Sequence, residues 1–461
     1  MIIPTCYKDK KVAVIGLGRS GQSVAQALMK GGSHVLAWDD QESARKSAQN
    51  LNIPLLNPSS IEWSEVDKLI LSPGVPHHYP APHPLVAQAQ LEGLRPLGDM
   101  EILCESQKEA RYIGITGTNG KSTTTSLIGH ILKGMGAQVE VGGNLGIPVL
   151  ELNPLNKDGI YVLEVSSYQL ETAPSLHFDV SLLLNITPDH LDRHGGMDGY
   201  IAAKKLIYRN STSKDKLVIS VDDPHCLTIY EALKASSKVG LLPISVCKPL
   251  NEGISVKEGV LYENKTPVLD LKVLERLKGQ HNWQNIAAAF GALRTLGFET
   301  DPIVKGIASF PGLVHRQQVV AQYKNVTFVN DSKATNAEAV AKALICYQGS
   351  PIYWLVGGRA KEGGITNLKP FFKMIEHAYL YGEAASSFAL TLKGNVPYTQ
   401  CETLNEALEK ATEKALRDEK KDAVVLLSPS CASWDQFRDF AARGDAFCQK
   451  VREIINSKSG S

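Results

Sequence analysis

At 461 residues the chain is longer than one hydrophobic core usually supports, since cores rarely grow past roughly 250–300 residues, so two to four domains are expected. Its 43% hydrophobic and 21% charged residues are ordinary for a soluble globular protein. A net charge of +1 leaves no global field to draw it to nucleic acid or to an anionic membrane. No apolar run is long enough to span a bilayer, and MIIPTCYKDKK lacks the apolar centre of a signal peptide. The eight cysteines are scattered with no CxxC pair, which suits free thiols in a reducing cytoplasm. The small polar tail from Ser457 is expected to be disordered.

Lys11–Gly21 reads as a strand running into a glycine turn, with Gly16, Gly18 and Gly21 in the spacing GxGxxG. A helical segment (Gln22–Met29) and a second strand ending in Asp39 complete a dinucleotide fingerprint. The physics says only that a diphosphate can rest on a helix N-terminus and that an acid can accept hydrogen bonds from a nucleoside. A nicotinamide dehydrogenase therefore competes at this point. Lys68–Val75 is a third strand ending in the tight turn Ser72-Pro73-Gly74. The HHYPAPHP segment that follows reads as a surface loop, because its prolines scatter the imidazoles. Composition shifts near Gly93–Met100.

The stretch 110–131, ARYIGITGTNGKSTTTSLIGHI, carries a β-branched run, a glycine-studded turn and a helix opened by Lys121-Ser122. That is the recipe for cradling a polyphosphate: backbone N–H groups face the anion, the lysine reaches the outer phosphates and the hydroxyl binds Mg²⁺. The glycines fall at 114, 117 and 120, giving GxxGxxGKS in place of the usual GxxxxGK[ST], and the reading is ATP binding.

Behind this turn, Val139–Leu150 places Gly142-Gly143-Asn144 in a loop. Gly159–Glu171 is a buried strand running into Glu164, Ser166, Ser167 and Gln169. A carboxylate there needs a partner, either Mg²⁺ or a salt bridge. Asp179–Gly195 ends in Asp189, His190, Asp192, Arg193 and His194, so two strands bring an acid and an imidazole to the edge that holds the phosphate turn. Alone, His190 is as readily structural as a ligand. Gly199–Tyr208 is helical, and its Lys204 and Lys205 read by composition as solvated charges. Ile254–Leu271 alternates like a small hairpin sheet. Asn282 and Asn285, near the start of an Ala-rich helix, could read an adenine edge or cap the helix.

In the last third, Phe310–Val320 looks like a linker delivering Arg316. Thr327–Val340, Pro351–Gly364 and Ala423–Gly444 each run from strand to polar loop, which makes this region α/β with its loops at the strands' carboxyl ends.

Over essentially the whole chain these motifs resemble the Mur ligases of peptidoglycan precursor synthesis. GxxGxxGKS is that family's form of the phosphate loop. NDSKATN (330–336) and SPSCASWDQF (428–437) resemble the members that add D-glutamate. The resemblance implies an α/β chain of three domains: a Rossmann-like UDP-substrate domain (1–98), a central P-loop ATPase domain (99–311) and a Rossmann-like amino-acid domain (312–461). It implies a cytoplasmic monomer that joins UDP-N-acetylmuramoyl-L-alanine to D-glutamate with ATP and two Mg²⁺ ions.

Carried residue by residue, the resemblance places the UDP moiety on Gly18, Arg19, Ser20, Asp39, Asp40 and Gly74, with Asn144, Ser166 and Gln169. ATP falls on Gly117, Thr118, Asn119, Gly120, Lys121, Ser122 and Thr123, with Asn282, Asn285, Arg316, Asp331 and Lys333. Ser122, Glu164, His190 and Lys204 are implied for the metals, Lys204 as a carbamate, with Lys121, His190 and Lys204 catalytic. D-Glutamate is placed on Thr335, Lys361, Ser433 and Phe440. Two positions depart from the family's usual pattern: Gln318 stands where Glu is common, and Arg359 where an acid is common.

Overall fold

The computed structural model describes residues 1–144, 146–236, 239–360 and 363–459, the side chains of Glu275 and Ser459 aside. Two compact units divide the chain: residues 1–273 with 282–310, and residues 274–281 with 311–461.

The first unit contains two sheets. In the smaller, strands His34–Trp38, Lys11–Ile15, Lys68–Leu71 and Pro96–Leu97 lie side by side, all parallel. Lys11–Ile15 sits at the centre, and its VAVI run is buried, as a parallel strand covered on both faces requires. The larger sheet runs Thr266–Asp270, Val260–Glu263, Ile254–Lys257, Gly240–Ser245, Lys216–Ser220, Val180–Leu183, Arg111–Thr116, Ile160–Glu164, Val139–Gly143. From Ile254–Lys257 to Val139–Gly143 its pairings are parallel. The hairpin expected over 254–271 is present as the sheet's antiparallel edge rather than as a separate sheet. Gly142 and Gly143 belong to a strand and not to a loop.

Gly114 lies inside the strand Arg111–Thr116, where a Cβ would stand 2.5 Å from the Phe178 ring. The first glycine of GxxGxxGKS is therefore needed for close packing of that ring, and only Gly117 and Gly120 shape the loop.

In the second unit the order is Gln318–Tyr323, Val326–Asn330, Ala423–Leu427, Ile352–Gly357, Ile375–Tyr381, Tyr398–Gln400, parallel except for the first pair. Ile352–Gly357 and Ala423–Leu427 are buried along their whole length. The closing helix Phe440–Ser459 takes in Ser457–Ser459 of the tail expected to be disordered, and the last two residues of that tail lie outside the described residues. Among the described residues no helix is long and apolar enough to cross a membrane.

Candidate active site

The strand Arg111–Thr116 lies between Val180–Leu183 and Ile160–Glu164, with Ile115 opposite Glu164 and Thr116 opposite Leu183. Three carboxyl ends therefore meet along one sheet edge, the usual place for a ligand in an open α/β sheet. Gly117 and Gly120 have φ of 149° and 88°, and a Cβ on Gly120 would stand 2.3 Å from Asn285 Oδ1. The turn ends in the helix Lys121–Gly134, whose first-turn N–H groups lack intrahelical acceptors.

The loop is held from the neighbouring strand. Asn185 Oδ1 accepts from Asn119 N at 2.8 Å, and Asn185 Nδ2 donates to Asn119 O at 3.0 Å. Thr118 N donates to Asn185 O, and the Thr118 hydroxyl donates to Thr187 O at 3.0 Å. Sequence reasoning missed Asn185; the signal was a lone amide closing an apolar strand. Lys121 Nζ donates to Gly117 O and Thr118 O, both at 2.9 Å. Ser122 and Thr123 are buried in the same first turn.

Lys204 overturns the composition-based expectation. It is 2% exposed, whereas Lys205 is exposed. Its Nζ donates to Gly117 O at 2.8 Å and lies 4.5 Å from the centre of the Tyr200 ring. Burial, reinforced by the Lys121 charge, holds the amine well below the ordinary lysine range.

Glu164 is 2% exposed; its Oε1 accepts from Asn144 Nδ2 at 2.9 Å, while its Oε2 is buried with no hydrogen-bond partner. Among the described residues it makes no salt bridge, and an orphaned buried carboxylate oxygen beside a phosphate-type loop suits a cation. His190 is half exposed, left-handed at φ 50°, with Nε2 3.5 Å from Asp189 Oδ2. No three His, Cys, Asp or Glu side chains converge on a metal position among the described residues. A metal here would need the Ser122 hydroxyl, a modified Lys204 or phosphate oxygens in addition to Glu164 and His190.

Asn282 and Asn285 lie inside the helix Gln280–Thr295, so neither caps it. Asn285 Nδ2 donates to Asn282 Oδ1 at 3.2 Å, and Asn285 Oδ1 accepts from Thr124 at 3.3 Å.

In the first sheet Gly16 has φ 93°, and a Cβ on Gly21 would meet Gly16 O at 1.8 Å, so the fingerprint glycines serve the turn and the helix–strand approach. The space above Gly18 is open. Arg19 and Ser20 open the helix Arg19–Lys30. Asp39 accepts from Leu17 N at 2.7 Å and Gln41 N at 2.8 Å, which ties its carboxylate to the turn's own backbone. Asp40 accepts from Trp38 Nε1 and lies 3.1 Å from His83 Nε2; these contacts hold its carboxyl below the usual range. His83 also caps the helix Pro84–Leu91 through Nδ1, so the HHYPAPHP loop is engaged and not merely solvated. Ser166 and Gln169 form a capping box for the helix Ser167–Glu171, and Gln169 donates to buried Asp99 at 3.3 Å.

In the second unit Asp331 is buried, accepting from Ser428 Oγ at 2.8 Å and Gln317 N at 3.1 Å. Burial pushes its carboxyl up to about 7. Lys333 Nζ lies 5.1 Å from the Phe440 ring, Thr335 follows in the same turn, and Ser433 is buried in the facing loop. Lys361 lies outside the described residues.

Arg443, which sequence reasoning missed, is fully buried. Its guanidinium donates to Ser332 O at 2.7 Å and Cys431 O at 3.1 Å, clamping the NDSKATN loop to the SPSCASWDQF loop. Gln318 Oε1 accepts from His315 N at 3.0 Å, an acceptor role that a glutamate would fill equally. Arg359 is exposed and paired with Glu383 at 2.9 Å.

A carboxyl whose folded pKa exceeds its unfolded value of 3.8 binds a proton in the folded state that it loses on unfolding. Asp331 should therefore lend stability below pH 4 that is lost as pH rises through about 7, by on the order of 4 kcal/mol at full ionisation. Denaturant titrations of wild type and Asp331→Asn across this range should show that slope in the wild type alone; parallel curves would refute it.

Residues 115–293 match the Mur ligase middle domain, and 315–431 match the Mur ligase glutamate ligase domain. The chain is 48% identical, over 98% of both chains, to the UDP-N-acetylmuramoylalanine–D-glutamate ligase of Paramagnetospirillum magneticum. It belongs to the Mur ligase family. The corresponding enzyme of Rhodospirillum rubrum is 46% identical over 99% of this Mur ligase and 97% of that chain. Among solved structures, the UDP-N-acetylmuramate-alanine ligase of Thermotoga maritima shares the fold, with a TM-score of 0.61 at 18% identity over 96% of this Mur ligase and 99% of that chain. Membership removes the nicotinamide dehydrogenase reading, which left the phosphate loop without a task.

Proposed function

We propose that this Mur ligase couples ATP cleavage to addition of D-glutamate onto UDP-N-acetylmuramoyl-L-alanine, in cytoplasmic synthesis of peptidoglycan precursors. The observation that carries this reading is identity near one half, running end to end, with ligases named for that reaction.

On this reading the N-terminal sheet is a Rossmann-like platform. The acceptor's diphosphate rests at the helix N-terminus above Gly18, Arg19 and Ser20, with Asp39, Asp40 and Gly74 around the nucleoside. Gly117–Thr123 hold the ATP phosphates on a P-loop, and Asn282 and Asn285 support the nucleotide. Arg316, Asp331 and Lys333 contribute from the C-terminal domain, whose Thr335, Ser433 and Phe440, with Lys361, surround D-glutamate.

A carboxylate is a poor electrophile. ATP phosphorylates the acceptor's terminal L-alanine carboxylate, the D-glutamate amine attacks the acyl phosphate, and phosphate leaves as the amide closes. Lys121 offsets charge on the transferring phosphoryl oxygens. Glu164, Ser122, His190 and a carbamylated Lys204 would hold two Mg²⁺ ions, which supply charge neutralisation at those oxygens. Arg443 keeps the two amino-acid loops in register, so that the amine is presented in line.

Supplying amino acids singly with the UDP-linked acceptor and ATP should give ADP release at least about a hundredfold faster with D-glutamate than with L-alanine or a diamino acid. Preference for another amino acid would move the chain to a sibling activity.

A further inference from the structure

The stretch Gly74–Tyr79, whose histidines and tyrosine the proposed function leaves idle, makes two contacts with residues 193–195, just past His190, and a third with Glu171. Arg193 Nη1 donates to Gly74 O at 3.0 Å. The Tyr79 ring lies against Gly195, where a Cβ would stand 2.8 Å from Tyr79 Cζ. His77 Nε2 lies 3.8 Å from Glu171 Oε2, and the same carboxylate meets His194 Nδ1 at 3.3 Å through Oε1.

His194 is fully buried and its Nε2 lies 2.9 Å from the Ser167 hydroxyl. Its ring stacks on Tyr168 at 5.2 Å with a 9° tilt, and the Arg193 guanidinium lies 4.8 Å from the same ring. Glu171 thus joins a loop at the carboxyl edge of the four-stranded sheet to the helix that follows Glu164. It does so with side chains 11%, 24% and 0% exposed for His77, Glu171 and His194. The three do not form a metal-binding group.

We propose that Gly74–Tyr79 and residues 193–195 form a latch, with Glu171 as its positioning residue, that sets the acceptor-binding edge of the first sheet against the phosphate-binding edge of the second. The inference rests on the ligase reading above. In that reaction one sheet holds the UDP end of the acceptor and the other holds the ATP phosphates, while the acceptor's carboxylate must reach the γ-phosphorus in line. A misplacement of about 1 Å can cost a factor of about a hundred in rate without weakening either substrate's binding. The latch occupies the span where such slippage would arise, because Gly74 is placed with the nucleoside while His190 and Ser166 flank the other end. It touches neither reacting group.

The test compares His77→Ala, Glu171→Ala and the double variant in the full-length enzyme, measuring ATP and acceptor affinities separately and ADP formation in a single turnover. Each single change should slow ADP formation at least about tenfold while both affinities stay within about twofold. The double variant should be no slower than the slower single one, because both break one latch. Glu171→Gln, which keeps an acceptor for His194, should retain most of the rate. Tyr79→Ala, on a half-exposed ring, should slow the step without disturbing the core. Unchanged rates, or losses that simply multiply, would overturn the latch. Wild-type enzyme forming no ADP with acceptor present would instead sink the ligase reading.

Discussion

Lys121→Ala is expected to abolish ADP formation, a loss of about a thousandfold or more, with both acceptor and D-glutamate at saturation. The ammonium now donates to Gly117 O and Thr118 O, so it lies folded over its own loop. Those carbonyls are weak acceptors beside a phosphate oxygen, and a charge-assisted bond to an arriving polyphosphate would displace them. The loop itself should survive the change. Its shape is set by the left-handed glycines at 117 and 120 and by the amide of Asn185, none of which needs the lysine. Lys121→Arg should rescue poorly, because the planar fork is longer and cannot act as a compact point charge. The measurement is coupled-assay ADP release, with acceptor affinity taken separately as a check on folding. Turnover retained within tenfold would refute the ATP site.

Glycine spacing and apolar runs made the phosphate loop and the flanking strands legible, because both are local consequences of backbone geometry and burial. The strand ending at Glu164, a strand within the apolar run from Asp179 and the turn at 117–120 stand where the sequence placed them, although that second strand stops at Leu183, short of Asp189 and His190. What stayed hidden depended on contacts far apart in sequence. Gly114 looked like part of the phosphate motif, and only the position of Phe178, 64 residues on, reveals its packing role. Asn282 and Asn285 could read an adenine edge or cap the helix, because helix boundaries are the least certain feature of a sequence; the helix starts at Gln280 and buries both, which removes the cap alternative. Arg443 carried no signal, since an arginine in a C-terminal helix is ordinarily solvated, and its burial follows from two loops that meet only after folding. The histidines at 77 and 83 were discounted for a sound local reason, proline spacing, yet each finds a distant carboxylate.

Lys204 is where composition and structure disagree most, and its replacement should be nearly as damaging as that of Lys121. A lysine 2% exposed near the Lys121 charge is costly as a cation, and burial, reinforced by that charge, holds the Lys204 amine well below the ordinary lysine range, which favours its neutral form. A neutral amine is a nucleophile: its lone pair can add to CO₂, releasing a proton and leaving a carbamate. That exchange turns a disfavoured cation into an anion next to Lys121, which favours the product electrostatically. It also supplies an oxygen donor near Glu164, where the histidines and carboxylates alone do not make a metal group. Lys204→Ala should therefore lower kcat about a hundredfold or more, with the melting temperature and acceptor affinity little changed. Lys204→Glu, a carboxylate on a shorter stem, should recover part of the loss. Intact-mass and peptide-mass measurements on enzyme kept in bicarbonate should place one CO₂ on the peptide containing Lys204, with activity following its occupancy. Full activity from CO₂-depleted enzyme whose Lys204 is unmodified would exclude the carbamate and leave the lysine a role as a simple amine holding Gly117.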